Sequence, residues 1–237
     1  MAESRNERIS RFNVAGESVI LVHGMVAHRS LMWPMARYLR RHGYQVTNWG
    51  YPSIRGAIEE CGEGLRAELK RLASCPEISQ IHLIGHSMGG IVVRCALQGQ
   101  SFSKLGRIVM LVTPNSGSHA ARRLAPPLGW LCPYLRELSD SSDSFVSQLP
   151  PLEGLEIGAV ASRIDHVVSL GSALAVSATD HMLINVWHGL VPCSPVVSRE
   201  ARQFLQTGRF SDGVRRAEAV DVAKANSEAA GATSTRE

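Results

Sequence analysis

Short β-branched runs alternate with segments of helical period from residue 17 to residue 113, and this rhythm narrows the possible folds more than any other feature. Glu17–His23 (ESVILVH) reads as a buried strand that stops at His23-Gly24. Ser30–His42 places Leu31, Met35, Tyr38 and Leu39 at helical spacing, and Gly43 stops it. Tyr44–Trp49 alternates as a strand does. Ile54–Ala73 is helical in period, with Ile58, Leu65, Leu69 and Leu72 on one face. Gln80–Ile84 is a strand, Gly90–Gln98 a helix, and Arg107–Val112 another buried strand. Strand and helix in turn imply βαβ units: a mostly parallel sheet, helices on both faces, right-handed crossovers.

The rhythm breaks at Thr113–Leu152. This segment is rich in proline and carries the polar cluster SDSSDS at Ser139–Ser144. It reads as an insertion of short helices, residues 114–152, capping the C-terminal edge of the sheet. Leu155–Ala161 and Met182–Trp187 then supply the last two strands, and a final helix starts at Ser198–Leu205. The domain therefore spans residues 17–211. Residues 1–16 form a polar lead-in, and residues 212–237, poor in apolar side chains, a flexible tail.

Composition excludes several classes. Of 237 residues, 44% are hydrophobic and 19% charged, the balance of a globular chain rather than a disordered one. No run reaches the 18 or so apolar residues of a membrane-spanning helix. The charged N-terminus lacks the apolar core of a signal peptide, so a cytoplasmic location is expected. A net charge of +4 with 5% aromatic residues does not suggest a nucleic-acid binder. The local basic cluster Arg37, Arg40, Arg41 and His42 reads as a solvated helix face. Cys61, Cys75, Cys95, Cys132 and Cys193 are odd in number and show no CxxC spacing. They read as small buried side chains, not a disulfide framework or metal site. GxGxxG and GxxxxGK[ST] are both absent, so no nucleotide cofactor is expected.

The chemistry concentrates at Gly85-His86-Ser87-Met88-Gly89, a G-x-S-x-G sequence between a strand and a helix. Such a turn is so tight that side chains at 85 and 89 would collide. It leaves Ser87 strained, with Oγ exposed at the positive end of a helix. A serine hydroxyl needs a base. Among nine histidines, His188 directly follows the last strand, and in a parallel sheet that places it on the edge where Ser87 stands. His86 adjoins Ser87 but should point elsewhere, His82 lies within a strand, and His181 belongs to the opposite edge. An imidazole base needs a carboxylate to fix its tautomer. Asp165 follows the strand Leu155–Ala161 at the same edge, whereas Asp140, Asp143 and Asp180 are placed less well. For the oxyanion, the backbone N–H of Met88 and that of Met25 are the expected donors, with Gly24 letting the chain turn beneath the substrate.

Taken together, VILVHGM, Tyr51-Pro52-Ser53, HLIGHSMGG, VMLVTPNSGS, RIDHVV and the His188 segment with FLQTGRF resemble the small esterase/lipase group of the α/β-hydrolase superfamily. The likeness runs over most of residues 17–210. It implies an α/β-hydrolase fold with an eight-stranded type of core, nucleophile Ser87, acid Asp165, base His188, and an oxyanion loop marked by His23-Gly24. In one departure, His166 stands where many relatives have glycine, bringing a second imidazole to the acid loop.

The resulting expectation is hydrolysis of a small-molecule or lipid acyl ester through a covalent acyl-enzyme. Trp130 and Leu131 of the insertion, with Leu124, Leu128, Phe145 and Leu149, are candidates to line an acyl pocket, and His23, Gly24, Gly85, His86 and Gly89 border the site. The same residues would serve a thioesterase, amidase or acyltransferase. A non-catalytic binding protein on a hydrolase fold is a further alternative, disfavoured by a complete Ser87, Asp165, His188 and Gly24. No cofactor or metal is called for.

Overall fold

The computed structural model describes residue 14 and residues 16–212. The remainder of the lead-in and the tail lie outside the described residues. The sheet has six strands: β1 (Glu17–Val22), β2 (Gln45–Trp49), β3 (Gln80–His86), β4 (Leu105–Leu111), β5 (Ile157–Ser162) and β6 (Asp180–Ile184). Their order is β2-β1-β3-β4-β5-β6, and every neighbouring pair is parallel. The eight-stranded core implied by the resemblance is thus corrected to six strands among the described residues.

Burial on both faces explains why the strands read as apolar runs rather than clean alternations. In β1, Ile20 and Val22 enter one core with α2 (Ile58–Ala73) and α3 (Met88–Leu97). Val19 and Leu21 enter the other, with α1 (Trp33–Arg41) and α8 (Pro195–Thr207). Alternate residues of one strand therefore serve opposite layers. Both faces are covered, as the alternation in the sequence requires.

Boundaries moved where local chemistry overrode the periodicity. The first helical segment splits into a 3-10 turn, Arg29–Met32, and α1, which starts at Trp33 with Pro34 in its first turn. Residues 54–57 are loop, and α2 begins at Ile58. β3 continues to His86 and α3 begins at Met88, so a single residue separates strand from helix. β6 begins at Asp180 and ends at Ile184, and Trp187 lies beyond it. The insertion carries α4 (His119–Leu128), α5 (Tyr134–Glu137) and α6 (Phe145–Gln148). A short helix, α7 (Leu170–Leu174), capped by Ser169, was not legible in the sequence.

Buried Arg94 of α3 secures both ends of the insertion. Its guanidinium donates to the carbonyls of Asn115 and Leu149, each at 2.7 Å. Burial lowers its pKa to about 10. The five thiols are free, but Cys75 and Cys193 are only half-buried, which corrects the expectation that all are core residues.

Candidate active site

Parallel strands deliver their following loops to one edge, and the candidate residues meet there. Ser87 occupies the single position between β3 and α3, at φ 55° and ψ −125°. A non-glycine residue reaches this region only when its surroundings hold it there. Its N–H donates to Leu111 O at 2.9 Å, and its carbonyl accepts from Gly90 N–H at 2.9 Å. The flanking glycines are required by space. A Cβ at Gly85 would stand 2.6 Å from Gly90 Cα, and one at Gly89 would stand 2.3 Å from Val22 O.

His188 lies at the start of a 3-10 turn, His188–Cys193, beyond β6. Its Nε2 is 2.9 Å from Ser87 Oγ, and its Nδ1 is 2.6 Å from Asp165 Oδ2. The carboxylate can only accept, so Nδ1 carries the proton and Nε2 turns its lone pair to the serine hydroxyl. Asp165 Oδ1 accepts from Val167 N–H at 2.8 Å and Val168 N–H at 3.0 Å. Burial by itself would raise the Asp165 carboxyl. The His188 hydrogen bond and charge, with the two backbone donors, outweigh burial and hold it below its ordinary value. Ser162, the last residue of β5, donates through Oγ to Val186 O at 2.6 Å and so fixes the approach to His188.

His86 points away from the serine hydroxyl, into the interior. Its Nε2–H donates to the carbonyl of His188 at 3.0 Å. Among the described residues its Nδ1 has no partner; it faces Gly24, where a Cβ would lie 3.2 Å from it. Burial and the nearby His188 push its pKa down to about 3, so the ring is neutral. His86 therefore joins the serine turn to the backbone of the base.

The loop after β1 packs on the serine turn at Gly24, where a Cβ would sit 3.0 Å from Ser87 Cβ. His23 stacks on Tyr51 with ring centroids 4.5 Å apart, and its Nδ1–H donates to Gly24 O at 3.0 Å. Burial lowers the His23 pKa. Tyr51 donates to His23 O at 2.6 Å, and Ser53 Oγ donates to Ala27 O at 2.6 Å. Val26, at φ 52°, donates its N–H to Ser53 O at 2.9 Å. The Tyr51-Pro52-Ser53 triplet is thus the brace of this loop, a role its sequence did not disclose. Met88 N–H, in the first turn of α3, has no intrahelical acceptor by position, and Met25 N–H takes no acceptor among the described residues.

A cleft of about 540 Å³ opens at Ser87 and His188. Met25, Val26, Leu31 and Pro34 line it together with the polar His28 and Ser30, and Gly24, Gly189 and Cys193 complete the lining beside the reacting groups. The insertion contributes nothing to this lining. Trp130 is 76% exposed and Leu131 lies on the same outer surface, which corrects their expected place in an acyl pocket. Of the remaining histidines His28 lines the cleft, and the others stand apart. His82 is buried in β3 and held by Glu17 at 3.1 Å, His181 lies near the start of β6, and His166 turns outward onto Trp187. His166 therefore does not crowd the carboxylate. Among the described residues no cluster of histidine, cysteine and acidic side chains could hold a metal ion. Nor is any helix among them long and apolar enough to cross a membrane.

A family model described as the alpha/beta hydrolase family matches residues 19–219. Several solved structures are similar in fold. The product of the lin2722 gene of Listeria innocua superposes with a TM-score of 0.56 at 16% identity, covering 83% of this chain and 95% of that one. Mature Bacillus licheniformis lipase BlEst2 gives 0.51 at 23% identity, covering 70% and 72%. Aspergillus fumigatus lipase B gives 0.54 at 15% identity, with 77% of this chain matching 48% of that larger one. A search of curated proteins returns no match.

Proposed function

Because the chain belongs to the alpha/beta hydrolase family, we propose that it cleaves carboxylic esters with Ser87 as nucleophile, His188 as base and Asp165 as orienting acid. The observation that carries this reading is the unbroken line from Asp165 through His188 to Ser87, with contacts of 2.6 Å and 2.9 Å. Ser87 Oγ attacks the acyl carbon while His188 Nε2 takes its proton. The carbonyl oxygen becomes an oxyanion beside the N–H groups of Met88 and Met25. Collapse expels the alcohol, which takes the proton back from His188 and leaves an acyl-Ser87 ester. Water, deprotonated by the same imidazole, attacks that ester and releases the acid. The apolar wall formed by Val26, Leu31 and Pro34 favours an apolar acyl or alcohol group beside the reacting carbon.

The test is labelling with a fluorophosphonate, read by intact mass and peptide mapping. A single adduct on Ser87, absent in Ser87→Ala, is expected, together with turnover of p-nitrophenyl esters. A folded protein that takes no adduct and cleaves no ester would overturn the proposal. Matched thioester and amide substrates on the same preparation rank the leaving group.

A further inference from the structure

Most large apolar side chains exposed among the described residues outside the insertion stand shortly past the C-terminal end of a strand. Val26 and Trp33 follow β1, Ile54 follows β2, Val167 follows β5, and Trp187 and Leu190 follow β6. The loops that lead into the strands carry none. A parallel sheet gathers these segments on one edge, the edge of the Ser87 cleft. Contacts join them side by side. Cys193 Sγ lies 3.7 Å from Leu31 O, the rings of Trp187 and His166 lie 5.3 Å apart, and Ser118 Oγ, at the start of α4, donates to Val167 O at 2.6 Å. An apolar rim of this kind marks an interaction surface.

Its charge selects the partner. No aspartate or glutamate occurs between Glu17 and Glu59, whereas Arg29, Arg37 and Arg55 in that interval are exposed. The Arg37 guanidinium lies 5.5 Å over the ring of Trp33. Residues 185–194 carry no acid, lysine or arginine. Of the acids facing this edge from β5 and the insertion, Asp165 is held by His188, Asp140 by Arg122, and Glu137 by Ile58 N–H. Asp143, and Glu59 and Glu60 at the start of α2, are exposed, as are Arg123, Arg136 and Arg163. Tryptophan beside arginine around an apolar patch suits the headgroup level of a lipid layer, and the sign of the charge suits an anionic one. We propose that this rim docks the protein on an anionic lipid surface, with the Ser87 cleft facing the lipid. That an ester presented there is then cut rests on the hydrolase reading above; the docking does not.

The experiment uses full-length Ser87→Ala protein, so that binding is read without turnover. It is mixed with vesicles of phosphatidylcholine alone, or of phosphatidylcholine and phosphatidylglycerol in equal parts, and sedimented. Binding to the anionic vesicles, weakened by salt, is expected, and brominated lipid should quench tryptophan emission. Replacing Arg29 and Arg37 by glutamine should weaken binding about 30-fold, equivalent to about 1 kcal/mol for each cation near the surface. Trp33→Ala should weaken it about tenfold. In the Ser87 protein, Trp33→Ala and Arg37→Gln should leave turnover of a short soluble ester unchanged. Absence of vesicle binding, equal binding to neutral vesicles, or indifference to both sets of substitutions would overturn the proposal. A concentration-dependent dimer that shields Trp33 from acrylamide would overturn it too, by assigning the rim to a second copy. Vesicle binding without ester turnover would sink the hydrolase reading and leave the docking standing.

Discussion

Lowering the pH from 7.5 to 4.5 should destabilise the fold through His86, and the size of the loss follows from its burial. The His86 ring is enclosed between the serine turn, Gly24 and the His188 backbone, with a pKa near 3 in place of 6.5. Between those values the unfolded chain binds a proton at this position and the folded one does not. Stability therefore falls as pH falls, by about 1.4 kcal/mol per unit. Over the two units from 6.5 to 4.5 the loss from His86 is about 2.7 kcal/mol, a large part of an ordinary domain's stability. His23, His82 and His181 also have pKa values lowered by burial and add losses of the same sign. The His86 contribution is isolated by comparison with His86→Gln, whose amide can donate to His188 O but does not titrate. Urea unfolding of both proteins at pH 7.5 and 4.5 gives the assay. The wild type should lose about 2.7 kcal/mol more than the variant across the interval. Equal losses would refute the reasoning, because His86 would then titrate in the folded state much as it does in the unfolded chain.

Other substitutions test separate links. Ser87→Ala should lower kcat by at least about 10⁴-fold with an unchanged urea midpoint. Asp165→Asn should cost about 10³- to 10⁴-fold in kcat, because an amide no longer fixes the Nδ1–H tautomer of His188; a loss below tenfold would remove Asp165 from the proposed mechanism. Asp165 is held below its ordinary value of 3.8, so its stabilising contribution is complete above that pH and disappears only as pH falls further. Gly24→Ala brings a Cβ to 3.0 Å from Ser87 Cβ, and displacement of the Met25 loop should lower kcat/KM about tenfold or more at nearly constant Tm. Arg94→Met leaves the Asn115 and Leu149 carbonyls without their donor, and urea unfolding should show a loss of about 2 kcal/mol.

The positions around Ser87 differ in how far one sequence reveals them. Ser87, Asp165 and His188 were legible because each lies within four residues of a strand's C-terminal end, and a parallel sheet converts that position in the chain into a place on one edge. Gly85 and Gly89 were legible because a one-residue passage from β3 to α3 excludes side chains. The supporting contacts were hidden. His86 was set aside as the neighbour of Ser87, yet it holds the His188 carbonyl 102 residues away. The brace from Tyr51 and Ser53 to the loop after β1, and from Ser162 to Val186, likewise spans more than 20 residues in each case.

What the sequence determined by itself is the class of fold, the direction of the strands and the edge where chemistry is possible. Those follow from periodicity and chain order, which are local properties. What only the tertiary structure decided is the number of strands, the neutrality of His86, the outward placement of Trp130 and Leu131, and the exposure of Trp33 and Trp187 next in sequence to cleft residues. Each depends on burial and on contacts between distant segments. An apolar residue carries the same hydrophobic signal whether it ends in a core, in a pocket or on a rim facing outward, and only packing distinguishes the three.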